Sequence, residues 1–279
     1  MYCPPEPFSY LGKALKTYFE SSPEAKRDVS EIDWSKCSFF LVDERCVPLD
    51  HVDSNYRLVI EHIIPNLPGA RVEQVYPIDT TLLDNIDLCA HAYEKTLFEY
   101  FKSKLSNAAD ESSFWDAAGL DIALLGMGPD GHICSLFPSK PQSKWTANGI
   151  DGCPVSSVGA PYPLVVSIGD SPKPPLSRIT MSLPLVCNSH DIIFLCGGAE
   201  KQDALDRIVK DPESGETLPA ARALPIGYQN AKYTIECVVL NTAASDSNQI
   251  TLHHSEHSRA RNGEVRWFVD AAACKKIAL

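Results

Sequence analysis

Short, unbroken apolar runs recur along this chain between amphipathic stretches, and that alternation restricts the fold more than any other feature. The runs are residues 38–42 (SFFLV), 122–125 (IALL), 164–168 (LVVSI) and 192–196 (IIFLC). A strand buried on both faces reads as continuous apolar sequence, whereas a strand with one wet face alternates. Between the runs, apolar residues recur at helical spacing. One stripe is Leu11, Leu15, Tyr18 and Phe19, with Ser9 as N-cap; another is Ile86, Ala90, Tyr93, Leu97, Phe101 and Leu105. This pattern predicts an α/β fold, a Rossmann-like and mostly parallel sheet with helices on both faces. One such domain is expected across residues 1–279. Two stretches fit the alternation poorly. Residues 139–163 are rich in Pro, Gly and Ser and predict a long loop. Residues 226–262 contain one strand-like run, TIECVVL, and then a polar tract that reads as an inserted flap or a disordered loop.

Composition excludes several classes of function. The 279-residue chain has 25 Lys and Arg against 36 Asp and Glu, a net charge of −11, so no extended nucleic-acid surface is expected. No apolar run approaches the ~20 residues of a membrane-spanning helix. The opening MYCPPEPF has neither the basic nor the apolar region of a secretory signal. The ten cysteines are scattered without C-x-x-C spacing, and Cys37, Cys196 and Cys237 sit in or beside strand-like runs. They read as reduced thiols in a cytoplasmic protein.

The chemistry-bearing residues fall where the apolar runs stop. In open α/β sheets, ligands bind beyond the carboxyl ends of the strands. Residues 124–138, LLGMGPDGHICSLFP, leave such a strand through three glycines and reach His132 within seven positions. Glycines there let the backbone approach a ligand closely. The string formally matches the dinucleotide fingerprint, but Pro129 and the lack of an acidic residue about 20 positions on argue against that reading. Taken alone, it fits a tight turn with an incidental histidine equally well. The other strand ends add weight. Residues 39–56 run a strand into Asp43, Glu44 and Arg45. Residues 171–180 carry Lys173 and Arg178. Residues 195–205 read as a strand, two glycines and then a helix whose first turn carries Lys201, a natural phosphate site. Arg, His, Arg and Lys at four strand ends predict a site for a phosphorylated small molecule. His51 and Asp53 are expected to pin a loop, with Ser54 and Asn55 starting the next helix. His253, His254 and His257 lack a Cys or carboxylate frame and predict no metal site.

Six ordered segments carry a resemblance. DERCVPLDHVDSNY, GMGPDGHICSLFP, DSPKPPLSRITMSLP, GGAEKQDAL, LPAARALP and GEVRWFVDAAA together resemble the glucosamine-6-phosphate deaminase/6-phosphogluconolactonase family, on its lactonase side, over about residues 36–225 and 263–274. The resemblance implies hydrolysis of 6-phosphogluconolactone to 6-phosphogluconate in the oxidative pentose phosphate pathway. It also implies a functional link to glucose-6-phosphate dehydrogenase, and no metal or organic cofactor. His132 would be the general base, Asp130 would orient the ring or its water, and Arg45 would stabilise the oxyanion or the phosphate. Arg178, by a two-pronged contact, and Lys201, as a point charge, would hold the phosphate. Two departures stand out. The family opens with a strand and a Ser-Gly-Gly-Ser phosphate loop, whereas CPPEPFSYLGKAL keeps what resembles the following helix without that loop. The first strand and part of the phosphate cradle are therefore expected to be missing or replaced. The second departure is the insertion at 226–262. Two rivals remain at this level. A deaminase is compatible with DGHI, although DERCVP places Arg45 where the deaminases carry an aromatic. A truncated, non-catalytic relative that binds phosphosugars is the other.

Overall fold

A computed structural model describes residues 32–104, 114, 118–144, 156–210, 217–224, 233–237, 248–252 and 265–274. In chain order the strands are β1 (Phe39–Phe40), β2 (Asp43–Arg45), β3 (Val75–Tyr76), β4 (Ile122–Gly126), β5 (Val165–Ile168), β6 (Arg178–Met181), β7 (Asp191–Cys196), β8 (Tyr233–Cys237), β9 (Asn248–Leu252) and β10 (Val265–Val269). The α-helices are α1 (Asn55–His62), α2 (Ile86–Lys104), α3 (Leu183–Cys187), α4 (Gln202–Lys210), α5 (Pro219–Arg222) and α6 (Ala271–Cys274). The chain divides into two compact units, one made of Met1–Thr96 with Ser167–Ile179, the other of Leu97–Val166 with Thr180–Leu279. The expected helix around Leu11 to Phe19 lies outside the described residues.

The second unit holds a five-stranded sheet in the order β4-β7-β10-β8-β9. β4, β7, β10 and β8 run parallel, and β9 pairs antiparallel with β8, so the 226–262 region adds an edge strand to the sheet. The runs 122–125 and 192–196, expected in one parallel sheet, pair directly, with Leu125 opposite Phe194 and Gly126 opposite Leu195. One face of the sheet is closed by Ala123, Leu125, Ile192, Phe194, Cys196, Val265, Trp267 and Val269, all buried. At its centre Phe194 and Trp267 stack with ring centroids 3.7 Å apart and planes 6° from parallel. The other face departs from expectation at β4, where Ile122 is 55% and Leu124 43% exposed. β4 is the terminal strand of this sheet, and an apolar run shows how greasy a strand is, not which of its faces finds cover.

The remaining strands are short. β1 pairs in parallel with β3, and Phe40 stacks on Tyr76 with centroids 4.3 Å apart. β2, β6 and β5 form a three-stranded sheet in that order. The four runs expected in one sheet are thus shared among three: 38–42 supplies β1, 164–168 supplies β5, and 122–125 and 192–196 supply β4 and β7. α1 begins where Ser54 caps it, its Oγ accepting from Arg57 N at 3.2 Å, as the sequence predicts. α2 starts with Asn85 Oδ1 accepting from Leu88 N and ends with Lys102 and Lys104 in its last turn, both favourable to the helix dipole. Its buried Tyr93 hydroxyl accepts from Leu41 N at 2.7 Å, tying the helix to the chain just ahead of β2.

Candidate active site

β4 ends at Gly126, and the next residues form a small closed loop. Gly128 N donates to His132 O at 2.8 Å and Gly131 N to Gly128 O at 3.0 Å. Gly131 turns the chain at φ +80°, a left-handed conformation that costs glycine least. Its carbonyl accepts from Ala220 N at 3.1 Å, so α5 holds the loop from outside. Beyond the histidine, Ile133 bridges to Leu136, and the buried Ser135 N donates to Thr180 Oγ1 at 3.1 Å. The loop is therefore fastened on both sides of His132.

His132 Nδ1 is in hydrogen-bond contact with Asp130 Oδ1. The histidine side chain is 14% exposed and the aspartate 44%. The imidazole rests on Phe137, centroids 4.6 Å apart and planes tilted by 41°, and Phe137 is fully buried. A carboxylate on Nδ1 fixes the tautomer and leaves Nε2 as the ring's acceptor. Gly128 is required by this packing. A Cβ there would lie 2.0 Å from His132 Cε1, 2.1 Å from Nδ1 and 2.7 Å from Asp130 Oδ1.

The neighbouring strand β7 ends in a second built turn. Gly198, at φ +98°, donates its N–H to Asp270 Oδ2 at 2.9 Å, and Ala273 N donates to Asp270 Oδ1 at 2.7 Å. Asp270 thereby clamps the glycine turn after β7 and caps α6 at once. Lys201 closes the turn with Lys201 N donating to Gly198 O at 3.1 Å, and its side chain is 15% exposed with Nζ 3.5 Å from Glu200 Oε1. Burial pushes the Cys196 thiol up to about 12, with the positive charge of Lys201 opposing that rise. His132 and Lys201 thus follow the carboxyl ends of two strands that pair directly.

The two arginines stand in the first unit, and they differ in what their guanidinium groups are doing. Arg178 is 3% exposed. Its Nε donates to Pro175 O at 2.9 Å, its Nη2 to Lys173 O at 2.9 Å and Pro174 O at 3.2 Å, and its Nη1 lies 4.0 Å from Asp43 Oδ2. A fork spent on three carbonyls of its own loop is a structural cation first. Arg45 is half-buried, with Nη1 donating to Asp53 O at 2.8 Å. Its Nε is shut from water and meets no acceptor among the described residues. A buried N–H without a partner costs about 1–3 kcal/mol, which an added anionic acceptor would relieve.

Sequence reasoning passed over two carboxylates here. Asp270 acts on a glycine 72 positions away, though a strand, an Asp and three alanines is itself an N-cap signal. Glu44 is 1% exposed and takes hydrogen bonds from Arg45 N, Ser54 Oγ, Asn55 N and Tyr56 N. Burial pushes its carboxyl up to about 7 against the pull of the three backbone N–H groups, with the Asp43 charge adding to the rise. The expected loop pin is present, Asp53 N donating to His51 Nδ1 at 3.1 Å. His253, His254 and His257 lie outside the described residues. No cluster of three or more His, Cys, Asp or Glu able to hold a metal occurs among the described residues. No helix among them is long and apolar enough to cross a membrane.

Known proteins share this fold. The fold resembles a 6-phosphogluconolactonase from Trypanosoma cruzi, with a TM-score of 0.55 at 18% identity over 99% of this chain and 95% of that one. It also resembles a monomeric glucosamine-6-phosphate deaminase, with a TM-score of 0.52 at 14% identity over 97% of this chain and 95% of that one. In sequence, the chain is 36% identical over 216 residues to "Probable 6-phosphogluconolactonase 4" of Arabidopsis thaliana, covering 76% of this chain and 70% of that protein. It is 32% identical over 214 residues to the 6-phosphogluconolactonase of Rattus norvegicus, covering 77% and 71%. Against a chloroplastic relative from rice the match spans 75% of this chain and 56% of the relative, at 36% identity. The family model for glucosamine-6-phosphate isomerases/6-phosphogluconolactonase matches residues 12–231. With the histidine loop, the Lys201 turn and the Asp43–Arg45 strand end all inside that match, the chain belongs to the glucosamine-6-phosphate isomerase/6-phosphogluconolactonase family.

Proposed function

We propose that this protein hydrolyses 6-phosphogluconolactone to 6-phosphogluconate, with His132 as general base. The observation that carries the proposal is the His132–Asp130 pair at the end of β4, with Nδ1 engaged and Nε2 left to accept a proton. Lactone hydrolysis needs a water activated as it attacks the ring carbonyl and a donor for the oxyanion that forms. Nε2 takes the water's proton, and Asp130 stabilises the imidazolium so created and holds the ring in place. When the ring C–O bond breaks, the proton on Nε2 passes to the departing ring oxygen, so the histidine returns to its starting state. Arg45 supplies unspent donors for the oxyanion or the phosphate; a fixed donor aimed at developing charge contributes about 3–4 kcal/mol. Lys201 holds the phosphate as a point charge. Arg178, the second phosphate cation that the resemblance implies, also holds the 173–175 loop, its Nε and Nη2 donating to three carbonyls there.

The names of the sequence relatives support the lactonase reading over the deaminase one, as does Arg45 at the strand end. The same reading places the protein in the oxidative pentose phosphate pathway, beside a dehydrogenase that produces the lactone. It also places it in the cytoplasm, a reducing compartment that suits the reduced thiols of Cys37, Cys46, Cys89, Cys134, Cys187 and Cys196. The test is a steady-state assay on freshly made 6-phosphogluconolactone, corrected for spontaneous hydrolysis, with glucosamine 6-phosphate as the parallel substrate. Enzymatic loss of lactone without ammonia release from the amino sugar is expected. Ammonia release, or lactone loss at the spontaneous rate, would refute the proposal.

A further inference from the structure

Glu44 sits beside Arg45 in sequence, yet its carboxylate reaches across to the start of α1. Oε1 accepts from Arg45 N at 2.7 Å and from Asn55 N at 2.8 Å, while Oε2 accepts from Ser54 Oγ at 3.0 Å and from Tyr56 N at 2.8 Å. The backbone of Arg45 and the first turn of α1 are thereby fastened to one buried group. The side chain of Arg45 is tied to the same place, because Nη1 donates to Asp53 O, one residue before the cap Ser54. Asp43 makes a third tie, its carbonyl oxygen and Oδ1 accepting from Asn55 Nδ2 at 2.8 and 3.0 Å. Residues 46–52 therefore form a loop whose two ends meet at Glu44. Where Arg45 points depends on where Asp53 O lies, and Glu44 sets that.

We infer that Glu44 is a positioning residue for Arg45, holding the guanidinium where its unpartnered Nε and its remaining donors meet the substrate's anion. The inference rests on the proposed reading in one respect, that Arg45 contacts the substrate. A buried carboxylate is a costly way to join a strand to a helix, since desolvation pushes against its charge. A pair of small apolar residues would leave the N–H groups of Arg45, Asn55 and Tyr56 without this acceptor. What the carboxylate adds is direction: four donors converge on two oxygens, and one of the four is the N–H of Arg45 itself.

A fourfold comparison tests this: wild type, Glu44→Gln, Arg45→Ala and the double variant, each assayed for kcat and KM on 6-phosphogluconolactone and for thermal unfolding. The amide keeps the volume of the side chain but turns an NH2 toward Ser54 and Tyr56, so the clasp loosens without emptying. The expected result is a loss of roughly tenfold or more in whichever parameter Arg45→Ala lowers. In the Arg45→Ala background the same change should have almost no further effect. A merely structural role predicts the same factor in both backgrounds, and that outcome overturns the inference, as does a wild-type-like Glu44→Gln. Should Glu44→Gln fail to fold, Ser54→Ala removes one of the four donors and leaves both charges; it should show a smaller loss in the same parameter, again absent beside Arg45→Ala. If Arg45→Ala has no effect on an active enzyme, the inference fails while the lactonase proposal stands. If the wild type hydrolyses no lactone, the proposal fails. The cycle is then read as affinity for 6-phosphogluconate, which carries both the carboxylate and the phosphate that Arg45 could face. Additivity there, or no binding at all, overturns the inference too.

Discussion

Replacing Gly128 by alanine should disable the enzyme while leaving its fold almost untouched. Gly128 does not sit at positive φ, so alanine fits its backbone. The conflict is with the site alone. The added Cβ would meet His132 Cε1 at 2.0 Å, where ordinary contacts begin near 3.4 Å, so the ring must retreat by at least about 1.4 Å. Phe137 packs against the imidazole with centroids 4.6 Å apart and is itself fully buried, so the ring cannot simply slide back. Asp130 Oδ1, 2.7 Å from the same Cβ, would move as well. A displacement of ~1 Å at a reacting group can cost about 100-fold, and kcat should fall by about that much, equivalent to nearly 3 kcal/mol. KM should change little, because the proposed phosphate cation Lys201 lies in a different turn, after β7. Gly131→Ala is the counterpart. At φ +80° and with Leu218 side-chain atoms 3.0 Å away, it should lower the melting temperature measurably, since alanine is strained at that φ. Steady-state kinetics and thermal melts on both variants decide the matter. Wild-type kcat in Gly128→Ala would show that the ring's position is unimportant, and the proposed role of the loop would be wrong.

Other perturbations report on other parts of the account. Glu44 is raised from 4.5 to about 7, so the folded protein keeps a proton that the unfolded chain releases. Its contribution is present in full below pH 4.5 and is lost as pH rises to about 7, by roughly 3 kcal/mol, after which it is flat. Glu44→Gln should abolish that part of the slope in denaturant titrations between pH 5 and 8, and an unchanged slope would mean the carboxyl is ordinary. Lys201→Ala should raise KM much more than it lowers kcat, as expected for uniform binding of the phosphate; an unchanged KM would mean the phosphate is held elsewhere. Trp267→Ala should cost about 3–5 kcal/mol through the cavity left over Phe194. Trp267→Phe should cost clearly less, because a six-membered ring keeps most of the stack on Phe194 and leaves a smaller cavity, while the indole N–H that it loses has no acceptor among the described residues.

The parts of this protein that could be read from its sequence are those governed by neighbours along the chain. β4 and β7 announce themselves as apolar runs, and their parallel sense follows from the βα alternation, whereas their direct pairing appears only in the structure. The start of α1 is legible because a serine cap acts over three residues. His132 is legible because glycines crowd around it, and the structure gives the reason: the imidazole occupies the space where a Cβ on residue 128 would be. What stays hidden depends on distant groups. Asp270 reaches Gly198 across 72 positions, and nothing local marks that pairing. The loop-holding part of Arg178 is hidden too, because a basic residue beside a strand is all the sequence shows. The carbonyls of residues 173–175 that occupy it appear only once the loop has folded back. The exposure of Ile122 and Leu124 is hidden for a similar reason, since hydrophobicity is a property of the residue and cover a property of the fold.

The central claim is that His132 takes a proton from the attacking water, and the most direct measurement is the lactonase kcat of His132→Ala and His132→Gln beside the wild type. Spontaneous hydrolysis is to be subtracted, and 6-phosphogluconate binding serves as the check on integrity. General base catalysis contributes typically 10²–10⁴-fold, so His132→Ala should lose kcat by about that factor while product affinity stays close to normal. His132→Gln can hydrogen-bond but cannot accept the proton at neutral pH, and it should be almost as poor. Retention of most of the lactonase activity in either variant would contradict the account and leave the loop a tight turn that happens to carry a histidine.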